Sequence, residues 1–212
     1  MTLNELIEEV PLIAILRGLT PERAVDVGSV LLDAGFRCLE VPMNSPAPLD
    51  SIRLLARHFG DRAIVGAGTV LDEEAVGSLA LSGARIIVSP NCDTAVIRAT
   101  KAAGMISIPG FFTPSEAYAA IAAGADALKL FPSNMSGCAG LSAMTTVLPS
   151  SVPIFAVGGV DHQSMQEWHA AGARGFGLGS ALFKPERTLE DLSRRATEIV
   201  RAWRDLRDPA IA

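Results

Sequence analysis

Short apolar runs alternate along almost the whole chain with longer segments rich in alanine and leucine. The short runs are typical of buried strands, and the longer segments have the length and spacing of amphipathic helices. The pattern predicts eight strands, at residues 12–16, 37–41, 63–67, 85–89, 105–108, 127–130, 154–157 and 175–178.

Glycines mark the ends of the predicted helices. A small residue followed by glycine closes five of these segments, because glycine readily adopts the left-handed conformation that ends a helix. The five glycines are Gly35, Gly83, Gly104, Gly124 and Gly172. Each one precedes a predicted strand.

Polar caps mark the helix starts: Thr20 before Pro21, a capping box from Thr113 to Glu116, and the N-cap candidates Asp72 and Asp161. Strand and helix therefore alternate eight times, which predicts an α/β protein with a single (β/α)8 TIM barrel domain over residues 1–212. A doubly wound open sheet is the alternative, but neither a Gly-x-Gly-x-x-Gly turn nor a P-loop follows the first strand.

The composition is that of a globular protein. Hydrophobic residues make up 49% of the 212 positions and charged residues 19%. With a net charge of -5 and scattered arginines, the chain has no basic surface that would bind nucleic acid. The acidic start, with Glu5 and Glu8, is unlike a signal peptide and favours a cytoplasmic location. The uncharged stretch 130–160 contains prolines and glycines, so it does not predict a membrane span.

Neither a metal site nor a histidine base is predicted. The three cysteines are widely spaced and form no paired pattern. The three histidines, His58, His162 and His169, fall in predicted helices rather than at strand ends.

Lys129 lies in the apolar run Ala-Leu-Lys-Leu-Phe-Pro at the end of the sixth predicted strand. TIM barrels build their sites at the C-terminal ends of strands, and strand alternation puts Lys129 on the same face as Ala127 and Phe131. A buried lysine has a lowered pKa and is suited to Schiff-base formation. The alternative is a strand-end lysine that reaches solvent or pairs with a carboxylate.

Two other charges stand at strand ends. Glu40 shares a face with Cys38 and Pro42, so its carboxylate is expected in the mouth of the barrel, where it either transfers protons or forms a structural ion pair. Arg17 follows the first strand. It suits an anionic ligand, although a solvated surface position is equally compatible with the sequence.

Small residues follow the last two predicted strands: Gly158 and Gly159 after the seventh, and Gly179 and Ser180 after the eighth. TIM barrels commonly bind phosphate at these two loops. Glycines leave backbone N–H groups accessible, and the Ser180 hydroxyl can complete the site. Plain turns are the alternative.

Five segments resemble the 2-keto-3-deoxy-6-phosphogluconate and 2-keto-3-deoxy-6-phosphogalactonate aldolases. They are PLIAILRG at 11–18, EVPMNSP at 40–46, GAGTV at 66–70, LKLFP at 128–132 and AVGGV at 156–160. The resemblance implies a class I aldolase without metal or other cofactor, usually a homotrimer. Its substrate would be a phosphorylated keto-deoxy sugar acid, cleaved to pyruvate and glyceraldehyde 3-phosphate.

The resemblance also implies roles for individual residues. Lys129 would form the Schiff base and Glu40 would transfer protons. Arg17, helped by Thr69, would bind the substrate carboxylate. Independently of the resemblance, Pro90 and Phe131 at their strand ends are expected to enclose the pyruvate end of a bound substrate.

The segment after Glu40 favours one branch of this family. Members that act on the gluconate epimer typically carry Thr-Leu-Arg there and threonine before the late glycine pair, whereas this chain has Pro42-Met43-Asn44 and Val157. It is therefore similar to the galactonate branch. The gluconate aldolase, a dual-specificity enzyme, a phosphosugar isomerase or epimerase, and a non-catalytic phosphosugar sensor remain alternatives.

Overall fold

The computed structural model describes residues 1–207, so residues 208–212 of the predicted domain lie outside the described part. The strands are β1 (Leu12–Ile15), β2 (Cys38–Pro42), β3 (Ile64–Gly68), β4 (Ile86–Val88), β5 (Ile106–Ile108), β6 (Gly110–Phe111), β7 (Leu128–Leu130), β8 (Ile154–Val157) and β9 (Gly175–Leu178). The helices are α1 (Leu3–Glu9), α2 (Pro21–Ala34), α3 (Pro48–Phe59), α4 (Glu73–Leu81), α5 (Thr94–Ala102), α6 (Pro114–Ala122), α7 (Ser133–Thr145), α8 (Met165–Ala170) and α9 (Leu189–Arg207). Among these helices, none is both long and apolar enough to cross a membrane.

The strands form one parallel sheet in the order β5-β4-β3-β2-β1-β9-β8-β7-β6. The two edge strands of this sheet, β5 and β6, follow one another directly in the chain, so the two edges of the sheet meet. Backbone bonds from Asp126 N–H to the Ser107 carbonyl (3.0 Å) and from Lys129 N–H to the Pro109 carbonyl (2.9 Å) join them to the β7 side. The predicted TIM barrel is confirmed, and the open-sheet alternative is wrong.

The fifth predicted strand is broken in two at Pro109. Residues 105–108 correspond to β5, which pairs with β4, whereas the unpredicted β6 pairs with β7. Proline has no N–H to donate, which explains why the ladder changes partner at this point. Gly110 then passes close to a neighbouring loop, since a Cβ there would lie 2.2 Å from the Pro90 carbonyl oxygen.

The predicted helix stops are confirmed. The five glycines have positive φ angles: Gly35 at 112°, Gly83 at 84°, Gly104 at 72°, Gly124 at 100° and Gly172 at 111°. The capping box at Thr113 and the Asp72 cap of α4 are also present.

The predicted N-cap at Asp161 is wrong. The N-cap of α8 is Ser164, three residues later. Asp161 Oδ1 instead accepts the backbone N–H groups of Gln163 (3.0 Å) and Ser164 (2.9 Å), which builds a turn before the helix. His162 consequently lies in this turn and not in a helix as predicted.

Strand alternation divides the core into two layers. Leu39 and Val41 of β2 pack outward against the helices, while Cys38 faces the barrel interior. The interior also contains Ile13, Ile64, Ile86, Ile108 and Phe155. Helix α1, which the sequence analysis did not predict, begins at a Thr2–Glu5 capping box and buries Leu6 completely in this interior cluster. It closes the N-terminal end of the barrel.

Candidate active site

A cavity of about 590 Å³ opens at the C-terminal ends of the strands. Its walls include all eleven residues that the sequence analysis selected: Arg17, Glu40, Thr69, Pro90, Lys129, Phe131, Val157, Gly158, Gly159, Gly179 and Ser180. The fold thus gathers residues from seven strand ends into one pocket. In the described part of the chain, no group of three or more His, Cys, Asp or Glu side chains could hold a metal ion.

Lys129 stands on β7 with its side chain inside the barrel and only 6% exposed. Its Nζ lies 4.6 Å from the centroid of the Phe131 ring, so the amine is partly enclosed by an aromatic face. Burial is the largest influence on this group and lowers its pKa. The negative charge of Glu40 raises that pKa, and the positive charge of Arg17 lowers it further.

Glu40 stands on β2 and is 2% exposed. Burial raises the pKa of its carboxyl group to about 7, outweighing the opposite effects of Lys129 and Arg17. Its Oε2 atom has no hydrogen-bond partner. Within residues 1–207 no ion pair of 4.0 Å or less joins this carboxylate to Lys129, so the structural ion-pair reading is not supported.

Two glycines on β3 lie where a side chain would not fit, and one of them, Gly68, makes room for the Glu40 carboxylate. A Cβ on Gly68 would lie 1.7 Å from Glu40 Oε1. Gly66, which is the register partner of Glu40, would meet the Ile86 carbonyl oxygen at 1.9 Å. Any larger side chain at Gly68 must therefore displace the carboxylate or the strand.

Arg17 lies at the rim of the cavity, exposed, with Nη1 donating to Asn44 Oδ1 at 2.8 Å. The same two loops are tied together by the Gly18 N–H, which donates to Ser45 Oγ at 3.0 Å. Asn44 therefore orients the guanidinium. The sequence analysis noted that Asn44 replaces an arginine of the related branch but missed this contact.

The loop after β3 holds Thr69 at a φ of 57°. A left-handed backbone is unusual for a β-branched residue and stores strain that the surroundings must support. Ser89 gives that support by donating its hydroxyl to the Val70 carbonyl at 2.8 Å. Thr69 is thereby fixed in the cavity wall.

The glycine pair after β8 forms a loop that is hydrogen-bonded through the Gly158 carbonyl to the start of α7. Gly158 and Gly159 have φ angles of 111° and 77°. The Gly158 carbonyl accepts the Ser133 hydroxyl at 2.7 Å and the Asn134 N–H at 3.1 Å. This packing against the start of α7 fixes the loop.

The loop after β9 forms one helical turn in which the Gly179 carbonyl accepts the N–H groups of Leu182 and Phe183, each at 2.9 Å. Gly159, Ser180 and Ala181 line the cavity, and their backbone N–H groups have no acceptor within residues 1–207. Free N–H groups from two neighbouring loops form a concave site suited to an anion such as phosphate.

Several cavity residues were missed by the sequence analysis: Ile15, Val160, Asp161, Gly177, Ala181, Lys184, Arg187 and Arg195. The closeness of Lys184 and Arg187 to Ser180 in the chain was a signal for a basic phosphate end. Phe111 and Phe112, bulky residues after the fifth predicted strand, do not line the cavity, since Phe111 packs in the outer core.

Comparisons with known proteins agree with this geometry. The family model "Aldolase: KDPG and KHG aldolase" matches residues 3–196. The chain is 46% identical over 195 residues to a "Probable 2-dehydro-3-deoxy-6-phosphogalactonate aldolase" of Rhizobium meliloti (strain 1021), covering 92% of each chain. It is 44% identical over 197 residues to the "2-dehydro-3-deoxy-6-phosphogalactonate aldolase" of Escherichia coli (strain K12), covering 93% of this chain and 96% of that one. A solved structure described as "Native KDPGal structure" superimposes with a TM-score of 0.92 at 43% identity, covering 94% of this chain and 97% of the other.

Proposed function

Because the chain belongs to the KDPG and KHG aldolase family, we propose that it is a class I aldolase that cleaves 2-dehydro-3-deoxy-6-phosphogalactonate to pyruvate and D-glyceraldehyde 3-phosphate. One observation carries this proposal. Lys129 and Glu40 are both buried in the cavity, the pKa of the amine is lowered, and the pKa of the carboxyl group is raised to about 7. Neutral amine and titrating carboxyl groups are what Schiff-base chemistry needs.

In the first stage the Lys129 amine attacks the keto carbon, C2, and forms a carbinolamine. The lowered pKa increases the fraction of neutral amine that can attack. Protonated Glu40 then gives its proton to the carbinolamine hydroxyl, which leaves as water, and a protonated Schiff base remains. Arg17 and Thr69 hold the neighbouring carboxylate of the substrate.

In the second stage Glu40, now ionised, accepts the proton of the C4 hydroxyl while the C3–C4 bond breaks. The electron pair of that bond moves into the Schiff base, so an enamine of pyruvate stays on Lys129 and glyceraldehyde 3-phosphate is released. Glu40 returns its proton to C3. Water then hydrolyses the Schiff base to pyruvate and free amine, and the proton released goes back to Glu40.

The glycine loops are proposed to hold the phosphate group. Gly158, Gly159, Gly179 and Ser180 line the same cavity as the buried pair, and the free N–H groups of these loops match phosphate oxygens. A phosphate held at a distance from the reacting bond orients the sugar chain, which converts binding energy into rate.

Borohydride trapping tests the Schiff base directly. Reduction in the presence of pyruvate should attach one pyruvate-derived group to the peptide that contains Lys129, without any effect of a metal chelator. A modification found on Lys101 or Lys184 in place of Lys129 would reject the assignment. Lys101 is a suitable internal control because its ammonium is paired with Asp126 Oδ2 at 2.6 Å.

The preference for the galactonate epimer is supported by the names of the two relatives and by Val157 and Asn44. Pyruvate release should be measured from both epimers side by side, in wild type and in Val157→Thr. We expect faster release from the galactonate epimer and a smaller preference in the variant. Equal wild-type rates would indicate a dual-specificity enzyme, and a faster gluconate reaction would reverse the assignment.

We also propose that the protein assembles as a cytoplasmic homotrimer, as its resemblance to the family implies. Large exposed apolar side chains near α6 and α7, namely Phe112, Tyr118, Met135 and Val147, are candidates for contacts between copies. One chain has a mass of 22.2 kDa, and light scattering on the purified protein should give three times this value. A monomer mass would contradict the proposal.

A further inference from the structure

Three cations that follow Ser180 and Ala181 in the chain line the same cavity as the free N–H groups of these two residues: Lys184, Arg187 and Arg195. The bound phosphate proposed here carries about two negative charges near neutral pH, because its second pKa is about 6. Neutral N–H groups alone would leave that charge without a full counter-ion. The contacts of the three cations distinguish their roles.

Arg187 and Arg195 are occupied by groups of the protein. Arg187 Nε and Arg195 Nε each lie 2.9 Å from Asp191 Oδ2. Arg187 Nη1 also donates to the Leu182 carbonyl and lies 3.5 Å from the Ser180 carbonyl, and Arg195 Nη1 is 3.5 Å from the Ala181 carbonyl. Both guanidinium groups therefore brace the carbonyl side of the loop and leave the N–H groups of Ser180 and Ala181 without an acceptor within residues 1–207.

Lys184 has a different environment. Its side chain is exposed, lines the cavity, and has no ion pair or hydrogen-bond acceptor within residues 1–207. Of the other two lysines in the sequence, Lys101 is paired with Asp126 and Lys129 is buried at the base of the cavity. Lys184 is thus the lysine whose charge is available at the phosphate end.

The backbone that carries Lys184 is fixed even though its ammonium is free. Arg23 of α2 donates to the carbonyl groups of Pro185 and Arg187, the latter at 2.8 Å. The flexible four-carbon stem therefore starts from a defined position and can move a compact charge over the cavity mouth.

Asp161 is, besides Glu40, an acidic residue that lines this cavity. Its Oδ1 accepts the N–H groups of Gln163 and Ser164 and the Ser164 hydroxyl at 3.0 Å, and these bonds lower its pKa. The carboxylate is already hydrogen-bonded in its own turn, and it forms no ion pair with Lys184 in the described part of the chain.

We infer that the Lys184 ammonium closes over the distal phosphate group of the substrate and makes the enzyme prefer phosphorylated over unphosphorylated keto-deoxy sugar acids. This inference rests on the proposed aldolase function and extends it, because it assigns substrate discrimination to a side chain outside the glycine loops. Lys184 binds substrate and takes no part in the bond-making steps.

The test compares Lys184→Met with Lys184→Arg on the phosphorylated substrate and on the same acid without phosphate. Loss of a charged hydrogen bond should raise the KM for the phosphorylated substrate by about tenfold in Lys184→Met, with kcat nearly unchanged. The KM for the unphosphorylated acid should change less than about twofold, and Lys184→Arg should restore the wild-type value to within about threefold. The matched control is Arg98→Met, which removes an exposed cation on α5.

Added salt should reduce the wild-type advantage over Lys184→Met, because salt screens an exposed charge. An equal KM rise on both substrates, no rise on either, or the same rise in Arg98→Met would overturn the inference.

Binding of inorganic phosphate, measured by calorimetry, tests Lys184 independently of turnover. Weaker binding in Lys184→Met than in wild type and Arg98→Met supports the inference, and equal binding in all three rejects it. Failure of the aldolase proposal has a different signature. The wild type would then release no pyruvate and give no borohydride adduct on Lys129, whatever the phosphate measurement shows.

Discussion

The two ends of the barrel interior differ in chemistry although the same strands build both. At the N-terminal end, Cys38 and Ala127 lie in an apolar cluster that Leu6 of α1 completes. Two residues further along the chain, on β2 and β7, Glu40 and Lys129 occupy the next inward positions, where burial shifts both pKa values. Apolar side chains that stabilise the fold are therefore only two residues away, along the chain, from ionisable side chains whose burial reduces stability.

This difference implies that stability and turnover can be changed separately. Substitutions at the charged end should reduce turnover without weakening the fold, and substitutions at the apolar end should do the reverse. Four experiments test the separation, in order of expected effect.

Lys129→Met should have the largest effect. Without the amine no Schiff base forms, so turnover should fall by at least about 10⁴-fold. The unfolding midpoint should not decrease, because a buried ionisable group is replaced by an apolar one of similar length. Lys129→Arg is the matched control that keeps the charge. Turnover retained in that variant would favour an isomerase or epimerase, since a guanidinium stays protonated.

Leu6→Ala should lower the free energy of unfolding by about 3 kcal/mol, because it opens a cavity under a fully buried side chain. Urea denaturation measures this change, and kcat at a temperature where the variant is folded should equal the wild-type value. Leu81→Ala is the control, since Leu81 is 91% exposed and its loss should cost less than about 0.5 kcal/mol. A large loss of kcat in Leu6→Ala would show that the two ends are coupled.

Glu40→Gln tests the cost of burying the carboxylate. The pKa of Glu40 is raised from 4.5 to about 7 in the folded state, so the folded protein holds the extra proton between these pH values. The stability from this group is complete below pH 4.5 and is lost as pH rises through 7. The free energy of unfolding of the variant should therefore exceed that of wild type by about 3 kcal/mol at pH 8, and by less than about 1 kcal/mol near pH 5.

The same variant should lose turnover by roughly a hundredfold at pH 7 if Glu40 is the main proton carrier. Parallel stability curves for the two proteins between pH 5 and 8 would show that the carboxyl group is not perturbed. Near-normal turnover would reduce Glu40 to a structural residue.

Gly68→Ala adds a single carbon atom at the charged end of the barrel and tests how closely the position of Glu40 controls turnover. Its Cβ would lie 1.7 Å from Glu40 Oε1, so the carboxylate must move, and turnover should fall by about tenfold or more. Gly77→Ala is the matched control, because nothing lies within 4 Å of a Cβ at this helical position. It should leave turnover unchanged and raise the free energy of unfolding by about 0.5 kcal/mol. Similar turnover in both variants would argue against the role of Gly68.

The strands and helix ends could be predicted because their signals are local. A helix-stop glycine is recognised from itself and the residue before it. The inward orientation of the Glu40 and Lys129 side chains follows from the two-residue period of a strand. The break at Pro109 could not be predicted, since it depends on how the two ends of the sheet meet. Helix α1 was missed although its Thr2–Glu5 capping box is a local signal, whereas the burial of Leu6 depends on packing under the barrel.

The candidate site was predicted where strands deliver side chains and missed where loops do. Three cavity residues follow the last strand: Lys184, Arg187 and Arg195. Their segment is held in place by a hydrogen bond from Arg23 and an ion pair with Asp191. The basic residues close to Ser180 in the chain were a readable signal, but the contacts that hold them at the cavity leave no short sequence pattern. The pKa of Lys129 was also beyond prediction, because it depends on its distances to Glu40 and Arg17.

Helix α1 has a kinetic consequence for the proposed reaction. In the described residues it closes the base of the barrel, so reactants enter and products depart by the strand-end opening. The three-carbon acid fragment is covalently attached at the inner end, and the aldehyde lies between it and the outside. Departure is therefore sequential, with glyceraldehyde 3-phosphate first and pyruvate last, and pyruvate should act as the competitive product inhibitor.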